Sequence, residues 1–382
     1  MKVFLIAGEA SGDKLGAALM EGLKTLSDVE FSGVGGPLMN AQGLTSLFAM
    51  EELSVMGLVE VLPKYFPLKR RIRQTAEAAL AARPDVVISI DSPDFCLRVA
   101  KIIKANSTLR TVHYVAPSVW AWRPGRADKM AKVIDHVLAL LPFEPPYMEA
   151  AGMVCDFVGH PVVSERQADD KIKAAFRTEH GLGDGPVLLV LPGSRKGEVD
   201  RLGPIFGDAL RQIVVARPGL RIVVPTTQAR EGQVRALVAG WPNAPLVIAP
   251  RGDAALDLAE KRAAFGMADF ALAASGTVSL ELAAARTPMV IAYDVNRISR
   301  EIINRMLQID TLTLVNLVSE TRVVPEFKGA ACEPDLIATG VLEMMHAPEA
   351  QLEAMRVTMD RLGARGEAPG LRAAKAVLGR MG

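Results

Sequence analysis

The chain has 382 residues, with 44 Lys plus Arg against 43 Asp plus Glu and a formal net charge of +1. Half of it is hydrophobic and 23% is charged, which excludes disorder, and the balanced charge lacks the basic surplus of a nucleic-acid binder. At about 100–200 residues per domain, the length predicts two domains.

KVFLIA (Lys2–Ala7) reads as a buried strand. Its apolar run breaks at Gly8–Glu9, too early for a signal peptide, and no segment reaches the ~18 consecutive apolar residues of a membrane span. The expectation is a cytoplasmic protein that at most rests on a membrane. A helix over Gly12–Leu26 follows, with Leu15, Leu19, Leu23 and Leu26 on one face. Val29–Gly35, Asp85–Asp91, Leu109–Val115 and Asp135–Leu141 read as further strands. Their continuous Val/Ile/Leu runs suit parallel strands buried on both faces. The second half repeats the scheme, with strands at Pro186–Gly193, Leu220–Thr226, Pro245–Pro250, Ala268–Ser275 and Thr287–Asp294. Alternation of this kind predicts α/β architecture: two Rossmann-like, doubly wound domains facing across a cleft. The expected divisions are 1–165 and 166–345, with a helical tail over 346–382 that either packs back on the first domain or is exchanged in a dimer. Cys96, Cys155 and Cys332 are far apart and form no CxxC pair, as expected of reduced thiols.

In open α/β sheets ligands sit outside the carboxyl ends of the strands, so the residues just after each strand are the site candidates. GEASGD (Gly8–Asp13) follows the first strand but has neither dinucleotide spacing nor a P-loop lysine. Glu9 stands where backbone would approach an anion, so this turn is suited to hydroxyls or an amide, not phosphate. In ISIDSPDF, Asp91 ends a strand and Asp94 is placed to cap the next helix. Asp91 has no such local task and is the candidate general base, with Glu9 the second carboxylate beside it.

LPGSRKGEV joins a strand, the Gly193–Ser194 turn, the cations Arg195 and Lys196, and a helix start, a combination that favours an anion. A tight turn carrying two solvated cations reads equally well. In ASGTVSLE, Ser275, Gly276 and Thr277 follow a strand and open a helix, and Glu281 shares a face with Thr277. A helix start for a diphosphate and a carboxylate for a vicinal diol together describe a nucleoside diphosphate. The plainer reading is a capped helix with an exposed glutamate. His113 and His136 lie in apolar strands and read as core groups, while His160 borders the expected cleft. No HxxxH pair or other metal arrangement is present, so neither metal nor cofactor is expected; Arg195 and a helix dipole would stabilise a departing diphosphate.

Taken together, AGEASGD, MEELSVMGLVEVL (Met50–Leu62), DSPDF, HYVAPSVWAWRPGR (His113–Arg126), LPFE, VGHP, LPGSR, EVD, ASGTVSLE, PMV and TLVNLV carry a resemblance along essentially the whole chain. The sequence resembles the lipid-A-disaccharide synthases, glycosyltransferase family 19, of GT-B fold. The resemblance implies an inverting transfer from UDP-2,3-diacylglucosamine to 2,3-diacylglucosamine 1-phosphate (lipid X), with release of UDP. Carried across, Asp91 is the base and Glu9 helps position a substrate. Arg195, with Gly193 and Ser194, faces the diphosphate; Ser275, Gly276, Thr277 and Glu281 bind UDP, with Asn316 nearby. Asp294 departs from the pattern, which leads one to expect a basic residue there.

Acylated substrates imply contact with the inner-membrane surface. Val59, Leu62, Tyr65, Phe66 and Leu68, followed by Lys64, Lys69, Arg70, Arg71 and Arg73, fit an interfacial segment. An ordinary packed helix followed by a solvated basic one fits the same residues. The resemblance also implies a dimer that exchanges its C-terminal segments. Two other functions keep some of these features: a UDP-N-acetylglucosamine 2-epimerase, and a nucleotide-sugar-binding module without catalysis.

Overall fold

A computed structural model describes residues 1–53, 58–295, 300 and 305–381. The chain divides into two compact units, 1–164 with 362–382, and 165–361. The expected tail over 346–382 is therefore shared between them.

In the first unit β1 (Lys2–Ala7), α1 (Ala10–Leu26), β2 (Glu30–Val34), α2 (Pro37–Ala41), α3 (Leu58–Ala82), β3 (Val86–Ile90), α4 (Pro93–Asn106), β4 (Arg110–Tyr114), α5 (Gly125–Ala131), β5 (His136–Ala139), α6 (Pro145–Ala150) and β6 (Val154–Phe157) alternate along the chain. The strands form a parallel sheet in the order β2-β1-β3-β4-β5-β6. Successive side chains of a strand point to opposite faces, and both faces here are apolar. Val3, Leu5, Val86 and Ile88 pack with Leu19 and Leu23 of α1. Phe4, Ile6 and Val87 pack with Ala76 and Ala79 of α3 and Val99 and Ile103 of α4.

The second unit comprises α7 (Asp170–Glu179), β7 (Val187–Leu191), α8 (Lys196–Ala216), β8 (Arg221–Pro225), α9 (Glu231–Val238), β9 (Leu246–Ile248), α10 (Ala254–Met267), β10 (Phe270–Ala274), α11 (Val278–Ala285), β11 (Met289–Tyr293), α12 (Leu314–Ser319), β12 (Glu326–Lys328), α13 (Pro334–His346) and α14 (Glu349–Arg361). Its sheet runs β12-β11-β10-β7-β8-β9, again parallel. Leu188, Val190, Ile222, Val224 and Leu272 bury against Phe206 and Leu210 of α8 and Ile337 and Val341 of α13.

The last helix, α15 (Pro369–Gly379), returns to the first unit and lies on α1. Small residues let the two backbones meet: a Cβ on Gly22 would stand 2.7 Å from the Gly370 carbonyl oxygen, and one on Gly370 2.5 Å from that of Ala18. Ala373, Ala374 and Val377 then bury beside Leu19 and Leu23.

In both sheets the strand order reverses at one place, between β1 and β3 and between β7 and β10. A crevice opens at such a switch point, and it lies at the carboxyl ends of those strands. GEASGD and Asp91 follow β1 and β3, while the Gly193 and Gly276 turns follow β7 and β10.

Candidate active site

At the switch point of the first unit, the turns after β1 and β3 touch. A Cβ on Gly8 would come within 2.7 Å of Ser92 Oγ, so any side chain there would displace Ser92. Asp91 and Ser92 are both left-handed, with φ of 53° and 42°. For residues with a Cβ this conformation is strained, and such strain gathers at functional sites. It turns the Asp91 carboxylate onto two donors: Ser11 Oγ–H donates to Oδ2 at 3.1 Å and the Ser92 N–H to Oδ1 at 2.9 Å. Ser92 Oγ–H also donates to Glu9 Oε1 at 3.5 Å, which ties the two expected carboxylates into one polar patch. Both carboxylates are half-buried. Burial, and then the charges of Asp91 and Glu9, raise the thiol pKa of Cys96 beneath them far above its ordinary value, so that sulfur is inert.

The remaining acid of GEASGD has a structural task. Asp13 is 3% exposed and accepts from the N–H groups of Gly36, Leu38 and Met39 at 2.9, 2.9 and 3.0 Å. It thereby satisfies the open donors at the start of α2. Asp94 is exposed in the first turn of α4 and Ser92 takes the capping position, so the expected capping role of Asp94 is corrected.

Further along the same sheet edge, Glu144 is 4% exposed. Its Oε1 accepts from Trp120 Nε1–H at 3.2 Å, and its Oε2 from the N–H groups of Leu140 and Leu141 at 3.1 and 2.9 Å. Burial pushes its carboxyl up to about 7. This acid therefore anchors the SVWAWR loop after β4 to the loop after β5. His113 is buried, is pushed down to about 4 by burial, and has Nδ1 2.8 Å from Ser89 Oγ. His136 is buried against Asp156 at 2.9 Å, and His160 Nδ1 accepts from the Val162 N–H at 3.2 Å.

In the second unit the carboxyl ends of β7, β8, β9 and β10 surround a cavity of about 730 Å³. Gly193, Ser194, Arg195, Ser275, Gly276, Thr277 and Glu281 all line it. Gly276 has φ +154°, and a Cβ there would meet nothing within 4 Å. The backbone at the start of α11 is thus bare to the cavity, where the first N–H groups of a helix lack partners within it. Gly193, at φ +120°, is needed for another reason: its Cβ would strike Glu198 at 2.5 Å.

Glu198 is the residue that the sequence left unassigned. Its Oε2 accepts from the N–H groups of Ser194 and Arg195 at 3.1 and 3.2 Å, closing a box at the start of α8. The Arg195 guanidinium rests 3.3 Å from its Oε1 and is 69% exposed. A side-chain carboxylate therefore occupies the donors that the sequence assigns to a phosphate. Glu281 is paired as well, its Oε2 2.7 Å from Lys261 Nζ. Thr226 and Ile248, from the ends of β8 and β9, complete the cavity and follow the same strand-end rule.

Asn316 is not brought to this cavity. It is 1% exposed; its Nδ2 donates to the Val324 carbonyl at 2.9 Å and its Oδ1 accepts from the Val324 N–H at 3.0 Å. That two-point clamp fastens α12 to the chain leading into β12. Asp294, the departure from the family pattern, is 9% exposed and is met by two cations: Arg300 Nη2 at 2.7 Å and Arg201 Nη1 at 3.5 Å. Positive charge is thus brought to this acid from two other positions.

Of the expected membrane segment, Val59, Leu62 and Tyr65 have side chains outside the described residues. Phe66 is 79% exposed and Leu68 half-buried. Lys69, Arg70 and Arg73 are exposed and, at helical spacing, share a face with Phe66. Arg71 does not join them: it is bound by Glu52 at 2.7 Å and lies 4.4 Å over the Phe48 ring. No helix among the described residues is long and apolar enough to cross a membrane. Among those residues no cluster of His, Cys, Asp or Glu is arranged to hold a metal.

The sequence matches the family described as lipid-A-disaccharide synthetase over residues 3–372. A lipid-A-disaccharide synthase of Ruegeria pomeroyi is 66% identical, covering 100% of this chain and 96% of the relative. One from Rhodospirillum centenum is 47% identical over 98% and 94%. Among solved structures, a UDP-GlcNAc 2-epimerase from Neisseria meningitidis bound to UDP-GlcNAc superposes with a TM-score of 0.67 at 12% identity, covering 99% of each chain. A UDP-bound MnaA from S. aureus gives 0.68 at 13%, over 98% and 94%. At such identities the structural likeness establishes the α/β, GT-B-like fold alone and carries no argument for epimerase chemistry.

Proposed function

The chain belongs to the lipid-A-disaccharide synthetase family, and from that membership we propose how its residues divide the reaction. It is a glycosyltransferase that makes the lipid A disaccharide from a UDP-sugar and lipid X. The observation that carries this is 66% identity along the full chain. The epimerase and the non-catalytic module are not favoured.

The second unit is the donor domain. UDP occupies the cavity of about 730 Å³, with its diphosphate at the Gly276 turn and the start of α11, and its ribose at Glu281. Arg195 serves the diphosphate by turning from Glu198; its exposure leaves it room to do so. The first unit is the acceptor domain, and Asp91 is its base. The proton of the acceptor 6-hydroxyl passes to Asp91, and the oxygen bonds to C1 of the donor sugar. The C1–O bond to the diphosphate breaks, and its electron pair leaves on UDP. A single displacement of this kind inverts the anomeric centre. Ser11 and Ser92 fix the direction of the Asp91 carboxylate, and Glu9 orients the acceptor. Asn316 braces α12 beneath the donor domain and does not contact UDP.

The protein acts at the cytoplasmic face of the inner membrane. Phe66 enters the interface while Lys69, Arg70 and Arg73 meet anionic headgroups. In a dimer, exchange of residues 362–382 would replace each α1–α15 contact by an identical one from the second copy.

The test is metal-free incubation with UDP-diacylglucosamine, following UDP release with and without lipid X. Release that requires lipid X supports transfer; isomerised sugar without acceptor, or binding without turnover, rejects it.

A further inference from the structure

The walls of the donor cavity carry four carboxylates, Glu198, Asp257, Glu260 and Glu281, and two cations, Arg195 and Lys261. That is an adverse balance for a ligand bearing a diphosphate, so each acid must be neutralised in place. Three are held by donors of the loops beside them. Glu198 accepts from the Ser194 and Arg195 N–H groups, Asp257 from those of Arg251 and Gly252 at 2.7 and 3.1 Å, and Glu260 from Arg251 Nη2 at 3.1 Å. Glu281 depends on a different group, Lys261 of the facing helix α10.

The Lys261 ammonium lies 2.7 Å from Glu281 Oε2 and 5.2 Å from the centroid of the Phe265 ring. It is held between a carboxylate and an aromatic face, two contacts that together fix a long, flexible side chain. Lys261 takes one oxygen of Glu281, Oε2, and leaves Oε1 for a second donor. We propose that Lys261 is a positioning residue that aims the Glu281 carboxylate at the ribose diol and so restricts the site to ribonucleotides. This rests on the donor reading of the cavity and goes beyond it, because it names the residue that makes the sugar half of the nucleotide count. Lys261 is 45% exposed, and melting temperatures check that its replacement leaves the fold intact.

The experiment measures UDP and 2′-deoxy-UDP affinity by calorimetry on the wild type, Lys261→Met and Lys261→Arg, with melting temperatures as the control. The wild type should bind UDP about 10- to 100-fold more tightly than 2′-deoxy-UDP, as expected for one hydrogen bond to a charged group. In Lys261→Met that ratio should fall to about threefold or less, and Lys261→Arg should restore most of it. If Lys261→Met weakens both ligands equally and keeps the ratio, Lys261 acts only as a charge on the diphosphate and the proposal is overturned. A wild type that binds UDP but ignores the 2′-hydroxyl overturns it too, while leaving the donor reading in place. A wild type that does not bind UDP overthrows the donor reading itself.

Discussion

The two sheets reverse their strand order in the same way, yet the turns at the two reversals carry opposite chemistry. After β1 and β3 stand carboxylates and hydroxyls, Glu9, Ser11, Asp91 and Ser92, with Asp91 and Ser92 in a strained left-handed conformation. After β7 and β10 stand glycines, the bare backbone at the start of α11 and the Arg195 cation, while the acids there, Glu198 and Glu281, are already held by backbone amides and by Lys261. The fold decides where a ligand can sit, and a handful of turn residues decide what it can be. A carboxylate beside a pyrophosphate is repulsive unless donors of its own hold it, as the Ser194 and Arg195 amides hold Glu198, so an open carboxylate that serves as a base needs a turn of its own. Duplication of the scaffold separates the two tasks.

That separation can be broken one residue at a time. Asp91→Asn keeps the size and most of the hydrogen bonds of the side chain but not its basicity. Turnover should fall by about 10²–10⁴-fold, the usual contribution of a general base, measured as UDP release at saturating substrates. Near-normal turnover would move the role to Glu9 or Asp94.

The next effect lies in the first unit alone and is one of stability. Folding raises the Glu144 carboxyl from its ordinary 4.5 to about 7, chiefly by burial. The folded state therefore keeps a proton that the unfolded state has already lost. The stability so gained is complete below pH 4.5 and is lost as the pH rises to about 7, roughly 3 kcal/mol in all. The unfolding free energy of the wild type minus that of Glu144→Gln should fall by about this amount between pH 4.5 and 7.5 in denaturant titrations. A difference that does not vary with pH would show that Glu144 titrates normally.

In the second unit, Asn316→Ala removes the clamp on Val324 and leaves buried backbone groups unmet. A loss of about 1–3 kcal/mol in stability with UDP affinity unchanged is expected. A large loss of UDP affinity at unchanged stability would return Asn316 to the donor site. The smallest effect concerns the exposed face of α3. Phe66→Ser should weaken binding to anionic vesicles by about tenfold and leave UDP binding intact, and unchanged vesicle binding would remove α3 from the membrane.

Much of this was legible because parallel strands buried on both faces write themselves as unbroken apolar runs. VVISI and VLLVL need no context. The strands that were missed, β6 and β12, are VCDF and EFK, edge strands with one covered face or none and no such run. At the sites, residue types and their strand-end positions were readable: Asp91, Gly276 and Glu281 follow from the rule that ligands meet the carboxyl ends. Pairings across the chain were not. Nothing in LPGSRKGEV says that Glu198 folds back onto the Ser194 and Arg195 amides, because a capping glutamate and a solvated one look alike in sequence. Lys261 lies twenty residues from Glu281 and Arg71 lies beside Glu52 only once α3 has formed; distance along the chain hides both. Asn316 shows the reverse hazard: its motif resembles a site, and its amide is spent on the fold.

The division of labour is tested most directly by titrating UDP into Asp91→Asn and Gly276→Val side by side. Asp91→Asn should bind UDP as the wild type does, whereas a side chain at Gly276, strained and projecting over the start of α11, should weaken UDP by at least about tenfold. Equal affinity in the two variants, or a loss confined to Asp91→Asn, would contradict the assignment of donor binding to the second unit.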